Sequence, residues 1–246
     1  LILLGLVIGS FLNCLIYRLN QEKNQLKNLL WGRSHCPKCR KQLRWYDNLP
    51  LISFIFLKGR CRFCHSPISW QYPLVEISAT LLTLAVYLIL YRNPTFNWWL
   101  LIFNLFLTYG LLAIFASDLR YRTIPDELVL TILGVVLFWL FFHQQWLNFL
   151  AGALAGGFFL FLVWITKGQG MGWGDVKLAG LMGLLLGFPK LVVAFYLAFL
   201  TGALVGVILV LTKRKKLNSQ VPFGPFLTLA TWISLFWGDK IWTWFL

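Results

Sequence analysis

Eight apolar runs, all but the short sixth near the roughly 20 residues that cross the hydrocarbon core of a bilayer, leave this chain little choice of fold. They fall at residues 1–17, 73–91, 97–117, 127–142, 146–166, 176–188, 191–212 and 225–244. In lipid every backbone amide must find a partner within the protein, and apolar runs of this length without strict alternation satisfy that as helices. Hydrophobic residues make up 59% of the chain and charged residues 12%, too little charge for the surface of a soluble globular enzyme. The expected fold is an all-α polytopic membrane protein of about eight transmembrane helices. It divides into a first helix (1–17), a cytoplasmic loop domain (18–72) and a seven-helix membrane domain (73–246). The first run lacks a basic flank before it and a small-residue cleavage site after it, so it is expected to be a retained span, not a signal peptide.

The net charge of +14 would suggest a nucleic-acid partner on a soluble domain. Between spans it reports orientation instead, and no nucleic acid is expected. With segment 18–72 inside, 19 of the 22 Lys and Arg fall on the cytoplasmic side, and only Arg92, Lys190 and Lys240 lie outside. Both termini are then external. The run Lys213, Arg214, Lys215, Lys216 reads as a stop-transfer anchor.

Segment 18–72 holds two CxxC pairs, Cys36/Cys39 and Cys61/Cys64, with 21 residues between them. Two such knuckles can bring four thiolates to tetrahedral reach, the closed geometry of a structural zinc site. The competing reading, two disulfides, fails if the segment is cytoplasmic, where thiols stay reduced. A unit this small buries too little apolar surface to fold unaided, so a metal staple supplies what a core cannot. His35 and His65 flank the cysteines and are read as solvated neighbours, and Cys14 as a small buried apolar residue.

Eight carboxylates are few enough to weigh singly. On this topology Glu76, Asp118, Asp126, Glu127 and Asp175 all sit near cytoplasmic helix ends, where an acid in a membrane protein is a functional candidate. Asp118 is expected just after the span 97–117, at the negative end of a helix where an acid is disfavoured. Asp126 precedes the next span and is expected to cap it. Asp175 closes the sequence Gly168-Gln-Gly-Met-Gly-Trp-Gly-Asp, too rich in glycine to be a stable helix, and opens the short sixth run. An N-cap role for Asp175 is equally available. The small-residue pairs Gly152/Gly156, Gly183/Gly187 and Gly202/Gly206 would let neighbouring spans pack closely. Two aspartates from different helices on one membrane face form a dyad that shares one proton, one carboxyl serving as base for water and the other as acid. The sequence offers no Ser or Cys nucleophile motif, HExxH or phosphate loop in competition.

An ordered set of motifs resembles the type IV prepilin peptidases of the GxGD membrane aspartic proteases. It comprises GSFLN at 9–13, the paired CxxC knuckles, PLISF at 50–54, YPLVE at 72–76, the Asp118 to Asp126 segment ending in IPD, GMGWGDVKL at 170–178 and PFGPFL at 222–227. The resemblance implies that Asp118 and Asp175 are catalytic, with Gly172, Gly174 and Lys177 in the active-site loop. It implies an enzyme of the bacterial cytoplasmic membrane that cuts, at the cytoplasmic face, the short basic leader before the hydrophobic N-terminal helix of prepilins or pseudopilins. It also makes room for S-adenosylmethionine-dependent N-methylation of the new N-terminus, although the sequence shows no methyl-donor motif. Ser117 stands where Ile is common in such relatives. Two other classes fit parts of the sequence: a cation transporter or channel with a metal-sensing loop, and a loop-borne methyltransferase with a membrane anchor.

Overall fold

A computed structural model of the chain describes residues 1–21, 34–92, 94, 96–168, 171–212 and 222–245. The basic run 213–216 and Gly170 lie outside the described residues. Nine α-helices occur among those described: α1 Ile2–Gln21, α2 Ile52–Phe56, α3 Gln71–Tyr91, α4 Trp98–Tyr121, α5 Asp126–Phe142, α6 Leu147–Ile165, α7 Trp173–Leu186, α8 Lys190–Leu211 and α9 Gly224–Phe245. The described residues contain no β-strand, and all eight expected runs are helical. Five helices, α1, α3, α4, α6 and α8, are long and apolar enough to cross a membrane individually. At 17 and 14 residues α5 and α7 are shorter, and α9 interleaves Asp239, Lys240, Thr and Ser among its apolar positions.

The chain divides into two compact units, Leu1–Ala116 and Ser117–Leu246, with the boundary inside α4. In the first, α1 lies against α3 because two glycines one turn apart remove the side chains that would hold them apart. A Cβ on Gly5 would stand 2.5 Å from the Thr80 Cα, and one on Gly9 2.6 Å from the Glu76 Cα. Such close approach substitutes for the hydrophobic drive that lipid does not supply between helices. Buried polar groups then pair across helices, as Thr83 Oγ1 does with the Tyr109 hydroxyl at 2.6 Å. Asn13 Nδ2 donates to the Tyr72 carbonyl at 3.0 Å.

In the second unit α7 is the central strut, packed against α5, α6, α8 and α9. Its short length and its small or apolar residues Leu178, Ala179, Leu181, Met182 and Gly183 suit burial on every side. A Cβ on Gly183 would meet the Ala151 carbonyl oxygen at 2.5 Å, and one on Gly152 the Leu184 Cγ at 2.6 Å. Of the expected small-residue pairs, 152/156 and 183/187 thus contribute to the α6/α7 crossing through Gly152 and Gly183. Gly202 meets Phe223, while Gly206 faces open space. Far along α9, Asp239 pairs with Lys190 at the start of α8, 2.9 Å apart.

Two helix ends differ from expectation in ways that move the acids. The helix α4 runs to Tyr121, since nothing in its last turns breaks it before Arg122 turns the chain at φ 55°. Asp118 therefore lies within the last turn and not beyond it. The helix α7 begins at Trp173, so Asp175 lies inside its first turn. Replacing Gly183 with Leu should overpack the α6/α7 crossing by about 1–3 kcal/mol. Thermal unfolding of the detergent-purified protein should show a melting temperature several degrees lower for Gly183→Leu and unchanged for Gly206→Leu.

Candidate active site and metal centre

An acid in the last turn of a helix faces carbonyl ends and needs compensation from elsewhere. Asp118 is 6% exposed. Its carboxyl meets the backbone amide of Gly224, the first residue of α9, where a helix presents free N–H groups and positive potential. The approach is close enough to require glycine, because a Cβ on Gly224 would stand 2.6 Å from Asp118 Oδ2. Oδ2 is itself buried without a formal hydrogen-bond partner among the described residues. The turn after α4 is closed by Ser117, whose Oγ donates to the Thr123 carbonyl at 2.9 Å, and by Arg122 N donating to the Asp118 carbonyl at 3.0 Å. A hydroxyl at 117 thus fixes the strap that follows Asp118.

Asp175 occupies the third position of α7, 8% exposed. Its Oδ2 accepts from the Gly172 amide at 3.0 Å, and its own amide donates to the Gly172 carbonyl at 3.1 Å. The helix is capped by Gly172 backbone, and the Asp175 carboxylate reaches back to it from inside the first turn, so Asp175 is not the N-cap residue itself. The two glycines differ in kind. A Cβ on Gly172 would make ordinary contact, 3.6 Å from Asp175 Oδ2, whereas one on Gly174 would press on Ile124 at 3.0 Å. Ile124 also lies 3.2 Å from where a Gly224 Cβ would be. One side chain therefore wedges between the two glycine surfaces that seat Asp175 and Asp118, and the two carboxyls are within electrostatic reach of each other. Sequence reasoning passed over Ile124 and Gly224 as individual residues. The Gly-Pro step at a helix start and the Ile before Pro125 were the available signals.

Asp126 does not cap α5. The N-cap position is Pro125, which has no side-chain acceptor, and Asp126 is the first helical residue. Its Oδ1 instead pairs with Lys177 Nζ on α7 at 2.7 Å, both side chains about half exposed. An acid in the first turn still suits the helix dipole. Lys177 thus lies on α7 beyond the glycine loop and faces α5 through this pair. The ion pair stands at the edge of a groove of about 330 Å³ between α5, α6 and α7, lined by apolar and small residues including Val129, Leu133, Gly152, Val176 and Gly180.

The cysteine knuckles form a second, separate centre. In each, the first Cys anchors a turn built the same way. Cys36 N donates to the Lys41 carbonyl and Arg40 N to the Cys36 carbonyl, while Cys61 N donates to the Ser66 carbonyl and His65 N to the Cys61 carbonyl. Arg40 and His65 both sit at positive φ, 56° and 53°. The four cysteines are free thiols whose Sγ atoms lie within 4.8 Å of one another, and Cys36 and Cys64 are 3.8 Å apart. Four sulfurs about 2.3 Å from a tetrahedral centre stand about 3.8 Å apart, so the donor set fits a metal ion of that type. The Ser66 hydroxyl, 3.2 Å from Cys64 Sγ, lowers that thiol to about 6, whereas the neighbouring Cys36 and Cys64 sulfurs push Cys39 up to about 11, so these sulfurs titrate as a set. His35 and His65 are outside the cluster, His35 lying edge-on to the Tyr17 ring. Cys14 is half-buried in α1.

Two buried carboxyls from different helices, beside a glycine-led helix start, belong in form with the aspartic-type sites of membrane proteins. Comparison with known proteins agrees. Residues 3–90 match the bacterial peptidase A24 N-terminal domain, and residues 105–207 match the type IV leader peptidase family. The chain is 37% identical to the prepilin leader peptidase/N-methyltransferase of Aeromonas salmonicida (strain A449), over 99% of this chain and 92% of the relative. It is 37% identical to that of Aeromonas hydrophila, with the same coverage, and 35% identical to that of Pseudomonas aeruginosa over 98% of this chain and 90% of the relative. No solved structure matches the chain at a significant level. The protein belongs to the type IV leader peptidase family.

The unequal glycine contacts predict unequal substitutions. If the two aspartates that these glycines seat carry the chemistry, Gly174→Ala and Gly224→Ala should each lower leader-cleaving activity about tenfold or more, the cost of a displacement of a fraction of an ångström, while Gly172→Ala stays within a factor of about three. Initial rates on a prepilin peptide in detergent check this. At the metal centre, purified protein should carry about one equivalent of tetrahedrally held metal. Cys36→Ser should lose it, and chelation should open residues 34–70 to protease before the membrane helices lose their circular dichroism.

Proposed function

We propose that the protein is a membrane-embedded aspartic endopeptidase that removes the short basic leader from type IV prepilins or pseudopilins. Asp118 and Asp175 are its catalytic pair. The observation that carries this reading is the seating of two nearly fully buried carboxyls, from α4 and α7, within electrostatic reach of each other. In this mechanism the two carboxyls share one proton, because like charges brought together do not both ionise readily. The ionised carboxylate takes a proton from water as the water oxygen bonds to the scissile carbonyl carbon. The protonated partner gives its proton toward the carbonyl oxygen, and the tetrahedral species collapses with the C–N bond broken and a proton passed to the leaving amine. Products are the leader's new carboxylate and the free N-terminus of the pilin.

The groove between α5, α6 and α7 suits the apolar helix that follows the cleavage point, because it is lined by small and aliphatic residues and lies alongside α7, whose first turn holds Asp175. Gly172, Gly174 and Lys177 shape that end of α7. The positive-inside balance supports an orientation in the bacterial cytoplasmic membrane with both aspartates on the cytoplasmic side. Residues 18–72 form the metal-stapled module and 73–246 the peptidase portion. In the module Cys36, Cys39, Cys61 and Cys64 hold zinc, whose chemistry there is structural, since four thiolates leave no position for water. The names of the relatives support a second activity, S-adenosylmethionine-dependent methylation of the new N-terminus, and no residue of this chain is assigned to the donor. They do not favour the reading as a cation transporter.

Co-expression with a prepilin substrate tests the proposal. Asp118→Asn and Asp175→Asn should each reduce leader removal by a factor of about 10²–10⁴ or more, with folding judged by unchanged melting temperature. Asp239→Ala, at the far end of α9, should process fully. Full processing by either Asn variant would sink the pairing.

A further inference from the structure

The cysteine module carries an apolar surface that its own fold does not cover. Trp45 is 78% exposed, Ile55 72%, Phe56 83% and Trp70 71%, with Ile52 half exposed beside them. Four of the five fall in residues 45–56, which comprise a single 3-10 turn, Trp45–Asn48, and the five-residue α2, Ile-Ser-Phe-Ile-Phe. A free-standing cytoplasmic domain with so little core would not display this many large apolar groups.

The position of this surface relative to the spans identifies what covers it. Tyr17 on α1 and Trp70 before α3 are the residue types that settle at headgroup level. The segment after the 3-10 turn does not stay above them. Ser10 Oγ donates to the Asn48 carbonyl at 3.4 Å, and the buried Glu76 carboxylate accepts from the Leu51 amide at 2.9 Å. Ser10 lies seven residues before Tyr17 along α1, and Glu76 six residues after Trp70 into α3. At about 1.5 Å per residue, both contacts are roughly 9–11 Å below the headgroup markers. Leu51 is held by Glu76 at φ 58°, a conformation that persists in a non-glycine residue only when its surroundings impose it. The dip is therefore built in.

The charge of the module fits the same surface. Lys38, Arg40, Lys41, Arg44, Lys58, Arg60 and Arg62 are exposed, while Asp47, the sole acid in residues 34–70, is buried in a pair with Arg62 at 2.8 Å. Apolar groups about 5–10 Å into a bilayer, together with an excess of exposed basic side chains, are the pattern of a monotopic element on anionic lipid.

We infer that the cysteine module is seated in the cytoplasmic leaflet, with Trp45, Ile52, Ile55 and Phe56 inserted among the lipid chains, Trp70 at headgroup level and the exposed lysines and arginines bound to anionic headgroups. This rests on α1 and α3 crossing the membrane and not on the peptidase reading. The module is thereby held at the membrane surface and does not stand off in the cytosol.

The test uses the full chain with its metal, reconstituted in bilayers of phosphatidylcholine with or without phosphatidylglycerol. Phe56→p-benzoylphenylalanine and, separately, Ile55→p-benzoylphenylalanine are irradiated, and adducts are read by mass spectrometry beside the same substitution at Lys38. Lipid adducts at 56 and 55 should exceed those at 38 by roughly fivefold or more, and should fall about twofold or more without phosphatidylglycerol. Lipid yields at 55 and 56 no higher than at 38 overturn the inference, as do adducts made mainly to a second copy of the chain. A yield indifferent to phosphatidylglycerol overturns the headgroup half of it. Leader cleavage by the same samples reports on the peptidase reading independently.

Discussion

Close backbone approach through glycine is the constraint on which the rest of this structure depends. Lipid tails are as apolar as the side chains they touch, so helices gain nothing from burial alone and must interlock. At Gly5 and Gly9 the backbone of α3 occupies the volume a side chain would take, and at Gly183 the backbone of α6 does the same. The same device reaches the site. Gly224 lets the start of α9 touch the Asp118 carboxyl, and Gly174 lets α7 close on Ile124. Packing of the helices and seating of the two aspartates therefore share one mechanism, and a methyl group at these positions strikes both.

The second theme is where the acids find compensation. An aspartate in the last turn of α4 is placed against its own helix dipole, and the structure answers by directing the amide end of α9 at it. Asp175 is favoured by its own helix and ties down the glycine that starts it. Among the described residues each carboxyl meets a backbone amide, Gly224 for Asp118 and Gly172 for Asp175. Lys177, the nearest basic residue in sequence to Asp175, is taken up by Asp126.

The cysteine module depends on the membrane helices as much as on its cysteine cluster. Its core is two matched knuckles around four sulfurs, and its mooring is the Glu76 carboxylate on the Leu51 amide. Glu76 was legible in the sequence only as one acid among several near a helix end. Its partner is 25 residues away across a turn, and no spacing rule connects them.

Much of the fold was readable from the chain because its main determinants are local. Apolar run length sets the helices, the CxxC spacing sets the knuckles, and the scarcity of acids narrows the candidates to a handful that includes Asp118 and Asp175. The ends of α4 and α7 were misjudged by a few residues, since a helix stops where tertiary contacts let it and not where apolarity fades. Asp126 was read as a cap, and the structure gives that position to Pro125 and the acid to Lys177. What the sequence by itself determined is the all-helical membrane class, the metal-type cysteine set and the short roster of acids. What only the tertiary structure decided is which helix end faces which: α9 against Asp118, Ile124 between two glycines, and Glu76 beneath the module. These are contacts between residues far apart in the chain, fixed by the shape of packed helices, and shape is the one quantity that hydrophobic pattern and charge do not encode locally.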